Sequence, residues 1–214
     1  MINISKTMRI LGKKYPRSTT TLNTMRGNAS SFEILISCLL SLRARDEVTD
    51  VVSRDLFAVA NNPEAILKLP MARLKKIIFR SGHFNKKAEV LKSVSRDLIE
   101  RFGGEVPDSY DELISIKGIG PKTANIVLAF AFGKLVLPID VHCHRIPNRL
   151  GWIVTRTPEE SERALMKVLP KRFWREFNSA FVQFGREICL PVSPKCSECP
   201  VVDYCDKVNV NKSR

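Results

Sequence analysis

The sequence has no apolar run long enough to span a bilayer. Its first residues, MINISKTMRILGKKYP, contain no signal-peptide core. It also has no internal repeat and no long segment of low complexity, so no part of it resembles an extended disordered chain. From these absences we predict a globular cytoplasmic chain that has no membrane partner.

Acidic residues are scarce in this chain. There are 22 Asp and Glu residues against 35 Lys and Arg, which gives a formal net charge of +13. A basic protein of this size most often binds a polyanion. The charge alone therefore favours nucleic acid as the partner but does not identify it.

A convincing β-strand pattern is also absent. The one candidate, residues 135–139, is short and contains Pro138, which cannot donate to a sheet. Helical periodicity is clear instead, as in the long segment from Asn85 to Phe102 that Gly103 and Gly104 end. The residues therefore predict an all-α protein.

A helix–turn–helix with two turn glycines lies near the middle of the chain. Ser109 and Glu112 fit a capping box for its first helix. Gly118 and Gly120 permit a positive φ and a close approach of the backbone to a ligand, and Pro121 suits the first position of the second helix. Such a turn directs unpaired amides outward at a helix start, where an anion binds well.

Lys122 and Asp140 are the candidate reactive residues near this turn. Lys122 lies just inside the helix start, where the positive end of the helix dipole disfavours the ammonium form of a lysine. A neutral lysine amine is a nucleophile. Asp140 follows an apolar run and can either assist this amine or cap the next helix. Lys122 can equally be a solvated first-turn residue, and the sequence alone leaves these alternatives open.

Four of the six cysteines are clustered near the C-terminus. The spacing is Cys189, six residues, Cys196, two residues, Cys199, five residues and Cys205. In a cytoplasmic chain such a cluster more often holds a metal than disulfides. Zinc and a [4Fe–4S] cluster are both chemically possible, with iron–sulfur slightly favoured because only one close cysteine pair is present.

The segments GIGPKTANIV and IDVHCHRIPNRL together resemble the helix–hairpin–helix and Gly/Pro–Asp region of the endonuclease III family of DNA glycosylases. The resemblance implies that the hairpin, with Gly118 and Gly120, binds a DNA phosphate. It implies that Lys122 attacks the sugar and that Asp140 assists. The cysteine spacing is the one found for the [4Fe–4S] cluster of this family, which extends the resemblance from about Tyr15 to Cys205.

The family fold implies two helical domains. The first is a six-helix domain at residues 24–133 that contains the hairpin. The second is formed by residues 1–23 together with 134–214 and carries Asp140 and the cluster. DNA is expected to bind at the cleft between these domains.

Two expected DNA-contact positions depart from the family pattern. Arg43, in LSLRARD, replaces the usual glutamine that bonds the orphaned base. His83, in GHFN, replaces the usual apolar wedge. Base extrusion remains plausible, since arginine offers five donors, but the preferred lesion and opposite base are left open. Lys195 lies in the loop between Cys189 and Cys196, here called the cluster loop, and is either a further phosphate contact or a surface charge.

The resemblance implies a bifunctional DNA glycosylase and AP lyase of base excision repair. We expect a monomer that acts in the nucleoid on double-stranded DNA containing oxidised pyrimidines or abasic sites. It would release the base and then nick the strand by β-elimination through a Schiff base on Lys122. The alternatives are a mismatch-specific glycosylase of the same superfamily and a non-catalytic helix–hairpin–helix DNA-binding protein. Adenine-mismatch relatives carry a glutamate where this chain has Cys38, and they lack the lysine.

Overall fold

The computed structural model describes residues 2–16 and 29–214. Throughout this part of the chain the regular structure is helical and no β-strand is present, so the predicted all-α class is confirmed. The segment 135–139 has no regular secondary structure. The α-helices, numbered over the described residues, are α1 Ile4–Lys14, α2 Ser31–Ser41, α3 Asp46–Phe57, α4 Pro63–Lys68, α5 Met71–Ile78, α6 Phe84–Phe102, α7 Tyr110–Ser115, α8 Pro121–Phe130, α9 Val141–Arg149, α10 Pro158–Val168 and α11 Trp174–Glu187.

Four short 3₁₀ turns complete the regular structure of the described residues. One precedes α6, one leads into α11, and two lie between the clustered cysteines. They span Phe79–Ser81, Lys171–Phe173, Cys196–Glu198 and Val202–Tyr204.

The chain divides into two compact units. One contains the hairpin and ends at Lys134, and the other contains α1 together with the chain from Leu135 onward. The domain boundary predicted between residues 23 and 24 lies outside the described residues.

In the unit that contains the hairpin, α2 is the central helix. Its residues from Phe32 to Leu40 include eight buried side chains, so it packs on several neighbours at once. It packs against α3, α6 and α8. A helix that is apolar on almost every side must be central, because only such a position removes all of its faces from water.

In the other unit, α11 forms the core. Phe177, Phe181 and Phe184 are fully buried, and the rings of Phe177 and Phe181 have centroids 4.3 Å apart. Helices α1 and α9 pack against α11. The start of α9 is therefore held on a rigid aromatic core.

Helix α2 begins with a complete capping box. Ser30 Oγ accepts a hydrogen bond from the Glu33 amide at 3.1 Å, and Glu33 Oε2 accepts one from the Ser30 amide at 2.8 Å. The box expected at α7 is wrong, because Ser109 occupies the N-cap without a side-chain hydrogen bond. In the part of the chain that the structure describes, every helix is too short or too polar to cross a bilayer.

Because only Ser30 makes a side-chain cap, we predict that removing the Ser30 and Ser109 hydroxyl groups lowers the free energy of unfolding by different amounts. Ser30→Ala should lower the free energy of unfolding by about 1 kcal/mol, the usual value of an N-cap side chain. Ser109→Ala is the matched control and should change it by no more than about 0.5 kcal/mol. Urea denaturation followed by circular dichroism measures both, and equal losses would contradict the assigned caps.

Candidate functional site

The hairpin turn lies between α7 and α8 and is closed by main-chain bonds. The amide of Ile119 donates to the Ile116 carbonyl at 3.1 Å, and the Ile119 side chain is buried beneath the turn. Gly118 has φ +103, and a Cβ added there would lie 2.8 Å from Val90 Cγ1. Only glycine meets both conditions, so the turn is fixed closely against α6.

Gly120 has a different role from Gly118. Its backbone is extended, with φ −98, and a Cβ added there would meet nothing within 4 Å. It is the N-cap of α8, and no side chain caps that helix. The Gly120 cap therefore offers no side-chain partner to the first amides of α8, those of Lys122 and Thr123, because Pro121 has no amide N–H.

Lys122 is the second residue of α8, and its side chain is exposed. The Cys38 side chain of α2 is buried close enough to interact electrostatically with it. Burial raises the pKa of the Cys38 thiol to about 12, although the Lys122 charge opposes this shift. Cys38 is therefore a neutral neighbour of Lys122 and not a second acid.

Asp140 is the N-cap of α9 in the other unit. Its Oδ1 accepts hydrogen bonds from the amides of His142 at 2.9 Å and Cys143 at 2.8 Å. The capping alternative for Asp140 is thus realised. Both bonds use one oxygen of a half-buried carboxylate, so the cap leaves Oδ2 available to a ligand.

His142 and His144 have structural contacts. His142 Nδ1 lies 3.2 Å from Arg145 Nη2, and a Cβ on Gly185 would overlap the His142 ring. His144 Nδ1 lies 2.6 Å from Ser161 Oγ. These contacts fix α9 against α10 and α11, and with them the position of its N-cap.

Arg43 and His83 are both exposed and both adopt a left-handed backbone, with φ 56 and φ 47. Such values are uncommon for residues other than glycine and cluster at functional sites. Each residue lies between two helices of the hairpin unit. The structure therefore displays the two side chains that the sequence singles out as DNA contacts.

Two pairs of adjacent lysines, one on α5 and one on α6, are candidate phosphate contacts and differ in exposure. Lys76 and Lys86 are exposed, and Lys75 is half-buried. Lys87 is only 8% exposed, so it cannot contact a phosphate from its present position. The sequence gives no local sign of this difference between adjacent lysines.

The four clustered cysteines line one cavity. Cys189, Cys196, Cys199 and Cys205 surround it, with apolar side chains such as Phe184 and Ile188 completing the wall. All four thiols are free and half-buried. Burial raises the pKa of Cys199 to about 11 and also raises that of Cys205.

This cavity fits a [4Fe–4S] cluster, since four thiolates and an apolar wall are what that group requires. No set of three or more His, Cys, Asp or Glu side chains in the described ranges is arranged around a single metal ion.

Arg149 is a residue of this region that the sequence interpretation missed. Its Nη1 lies 3.5 Å from Cys189 Sγ and 2.6 Å from the Leu190 carbonyl, and its Nη2 lies 2.6 Å from the Pro191 carbonyl. Arg145, one turn earlier on α9, donates to the Cys189 carbonyl at 2.7 Å. The four-residue spacing of the two arginines was the available signal for a shared helix face.

Lys195 lies at the base of the cluster loop. The tip is formed by Val192, which is 83% exposed, and by Ser193, which has φ 49. The Lys195 amide donates to the Ile188 carbonyl at 2.9 Å, and its half-buried side chain lines the cluster cavity. The Lys195 side chain is thus not at the exposed tip of the loop, although a cation at the tip is what the loop sequence had led us to expect.

Two family models match the chain. Residues 36–171 match the HhH-GPD superfamily base excision DNA repair protein, and residues 189–205 match the iron–sulfur binding domain of endonuclease III. The second match coincides with the four cysteines that line the cavity.

Similar proteins cover nearly the whole chain. Endonuclease III of Thermotoga maritima is 44% identical over 95% of this chain and 92% of its own length. Endonuclease III of Haemophilus influenzae is 37% identical over 95% and 97%. Among solved structures, a non-covalent endonuclease III–DNA complex superposes with a TM-score of 0.86 at 30% identity, covering 97% of both chains. A thermostable thymine-DNA glycosylase gives 0.81 at 26% identity, covering 95% of this chain and 94% of the other.

The cavity predicts a coloured protein. Chain purified without oxygen should be yellow-brown, with about four iron and four sulfide ions per chain. Changing any one of the four lining cysteines to Ser should reduce iron content and the visible absorbance. Cys143→Ser is the matched control, because Cys143 is buried in the same unit away from the cavity, and its variant should keep the colour. Stoichiometric zinc without visible absorbance would exclude the cluster.

Proposed function

This chain belongs to the endonuclease III family of the HhH-GPD superfamily, and on that premise we propose that Lys122 and Asp140 are its catalytic residues. As a family member it is a DNA glycosylase and AP lyase of base excision repair, and its cofactor is a [4Fe–4S] cluster. The substrate we propose is double-stranded DNA with an oxidised pyrimidine or an abasic site, bound by a monomer.

Lys122 carries the proposal. It is an exposed amine at an uncapped helix start, so a DNA phosphate that binds the first amides of α8 would lie beside it. The amine attacks C1′ of the extruded nucleotide, the base departs, and the sugar opens to an imine on Lys122. The imine acidifies the adjacent sugar proton, and loss of that proton expels the 3′ phosphate. One residue then performs both base release and strand nicking.

Asp140 supports the same steps. Its carboxylate can stabilise positive charge as the bond to the base breaks, or it can accept the proton of the attacking amine. The cap through Oδ1 fixes the carboxylate without consuming both oxygens.

The DNA distortion needed to reach the sugar is assigned to Arg43 and His83. An extruded nucleotide leaves a gap in the stack, and a side chain must fill it. Both residues are exposed in left-handed turns, which present the side chain outward. Arg43 would bond the orphaned base and His83 would separate the stacked neighbours.

The cluster has a structural role in this proposal. When bound, it joins the four thiolates and so fixes the loop from Cys189 to Cys205. Arg149 and Arg145 hold the start of that loop through its carbonyls, and Lys195 closes its base. An ordered loop would hold Lys195 in one position, as a phosphate contact requires.

The two hairpin glycines allow phosphate binding to be separated from folding. Gly120→Ala adds a methyl group in open space, so stability should change by less than about 0.5 kcal/mol. Affinity for damaged and undamaged duplex should fall about tenfold, as expected if one hydrogen bond to a phosphate is lost. Gly118→Ala is the contrast, because its positive φ and the Val90 contact should lower stability by about 2 kcal/mol or more.

Fluorescence anisotropy and urea denaturation measure these two effects. An unchanged affinity in Gly120→Ala would mean that the phosphate does not approach this helix start. A loss confined to damaged DNA would mean that the hairpin reads the lesion.

Lys122→Gln removes the nucleophile but keeps polarity and approximate size. Base release, nicking and borohydride trapping on an oxidised pyrimidine duplex should all be abolished, while DNA binding persists. Lys117→Gln is the matched control, since Lys117 is an exposed lysine of the same hairpin, and trapping should survive there. Trapping that persisted in Lys122→Gln would place the nucleophile elsewhere.

Asp140→Asn is designed to leave the fold intact, because asparagine caps a helix as well as aspartate does. Base release should slow by about 10² or more if the carboxylate acts through its charge. Nicking of a pre-formed abasic site should fall less, since no base has to depart. Unchanged base release would restrict Asp140 to its cap.

A further inference from the structure

Arg43 and His83, which are exposed and have a left-handed backbone, lie in two loops of the hairpin unit. The Arg43 loop, residues 42–45, joins α2 to α3, and the His83 loop, residues 79–83, joins α5 to α6. The second loop contains two successive residues with positive φ, Gly82 at +66 and His83 at +47. Left-handed backbone at non-glycine residues persists only where the surroundings determine it.

Lys87 connects these loops. Its Nζ donates to the Leu40 carbonyl at 2.7 Å and to the Ser81 carbonyl at 2.7 Å. Leu40 lies in the last turn of α2, three residues before Arg43, and Ser81 lies two residues before His83. One buried amine therefore spans the two segments that lead into the exposed side chains.

The contact is a favourable one for a buried cation. The Leu40 carbonyl is among the last four of α2, which have no partner within that helix and lie at the negative end of its dipole. Burial lowers the pKa of Lys87 to about 8. The neutral amine still has two N–H donors for the two carbonyls, so the bridge does not depend on the charge.

Lys87 has no other evident use in the proposed reaction. It is 8% exposed and lies on α6, whereas the next residue before it, Lys86, is exposed and free to meet DNA. A buried lysine is costly unless its donors are satisfied. The position of Lys87 between the two loops indicates that its function is to hold them together.

We propose that Lys87 is a positioning residue that holds the Arg43 loop and the His83 loop in fixed register, so that both side chains enter the DNA stack together. The inference rests on the DNA-distorting roles proposed for Arg43 and His83. It deepens them by naming the group that couples the two insertions.

Lys92 provides a matched control on the same helix. Its Nζ also donates to two carbonyls, of Leu67 at 2.7 Å and Leu69 at 2.5 Å. Those carbonyls lie at the end of α4, and that segment carries none of the residues assigned to DNA. Lys87→Met and Lys92→Met each remove a two-carbonyl bridge, but only the first should disturb the Arg43 and His83 loops.

The experiment uses the full-length holoprotein and a duplex with a tetrahydrofuran abasic-site analogue opposite 2-aminopurine. Stopped-flow fluorescence of 2-aminopurine reports displacement of the orphaned base, and anisotropy reports affinity for undamaged duplex. We expect Lys87→Met to slow the fluorescence change about tenfold, within the range that misplacement of a contacting group produces. Affinity for undamaged duplex should change less than twofold, and Lys92→Met should leave the rate within twofold.

A coupling test shows whether Lys87 acts through the two loops. In an Arg43→Ala/His83→Ala background, Lys87→Met should slow the fluorescence change less than twofold further, because nothing remains to be positioned. A full tenfold further loss in that background would overturn the inference. So would a wild-type rate in Lys87→Met, or equal losses in Lys87→Met and Lys92→Met.

Failure of the proposed function is distinguishable from these outcomes. If Arg43→Ala/His83→Ala alone displaces the orphaned base at the wild-type rate, the DNA-distorting roles are wrong and the positioning role is overturned with them. If Lys87→Met does not fold, Lys87→Gln takes its place. Glutamine keeps two N–H donors on a shorter side chain and should give a smaller slowing in the same direction.

Discussion

The start of helix α8 lacks a capping side chain, and most of the proposed chemistry depends on that. Gly120 leaves the first amides of the helix open, whereas Asp140 closes the start of α9 with its own carboxylate. The start of α8 can thus receive an anion from a ligand, whereas the start of α9 is already occupied by the Asp140 carboxylate. Gly118, fixed against Val90, keeps the open start in place, so the anion site that we propose is built from backbone.

The large positive charge of the chain is only partly available to DNA. Lys87, Lys92, Arg145 and Arg149 donate to backbone carbonyls inside their own units. Lys87 satisfies two buried acceptors that would otherwise lack a partner, at a cost of about 1–3 kcal/mol each, and the contacts of the other three cations are partly buried. Net charge therefore indicated the correct class of partner, while overstating the number of cations that can meet it.

Local patterns in the sequence were enough for most of the helices and for the cysteine cavity. The apolar face of α6 and the Ser30 box are set by residues three or four apart, so periodicity reveals them. The bridge from Lys87 to Leu40 spans 47 positions, and no local rule distinguishes Lys87 from Lys86. The place of Lys195 at the loop base and the missing cap at Ser109 likewise depend on how the chain folds back. The grouping of residues 1–23 with 134–214 is a prediction that rests on the family resemblance and not on periodicity.

The bridge made by Lys87 also bears on the selectivity of amine chemistry in this protein. An abasic site presents an aldehyde, and any neutral lysine that reached it could condense with it. Lys87 has a lowered pKa and so a substantial neutral fraction near pH 8, yet it is enclosed and both carbonyl contacts occupy its nitrogen. Lys122 stands exposed at a helix start. Access, and not basicity alone, therefore decides which amine can meet the electrophile, and the fold keeps the Lys87 amine away from the aldehyde.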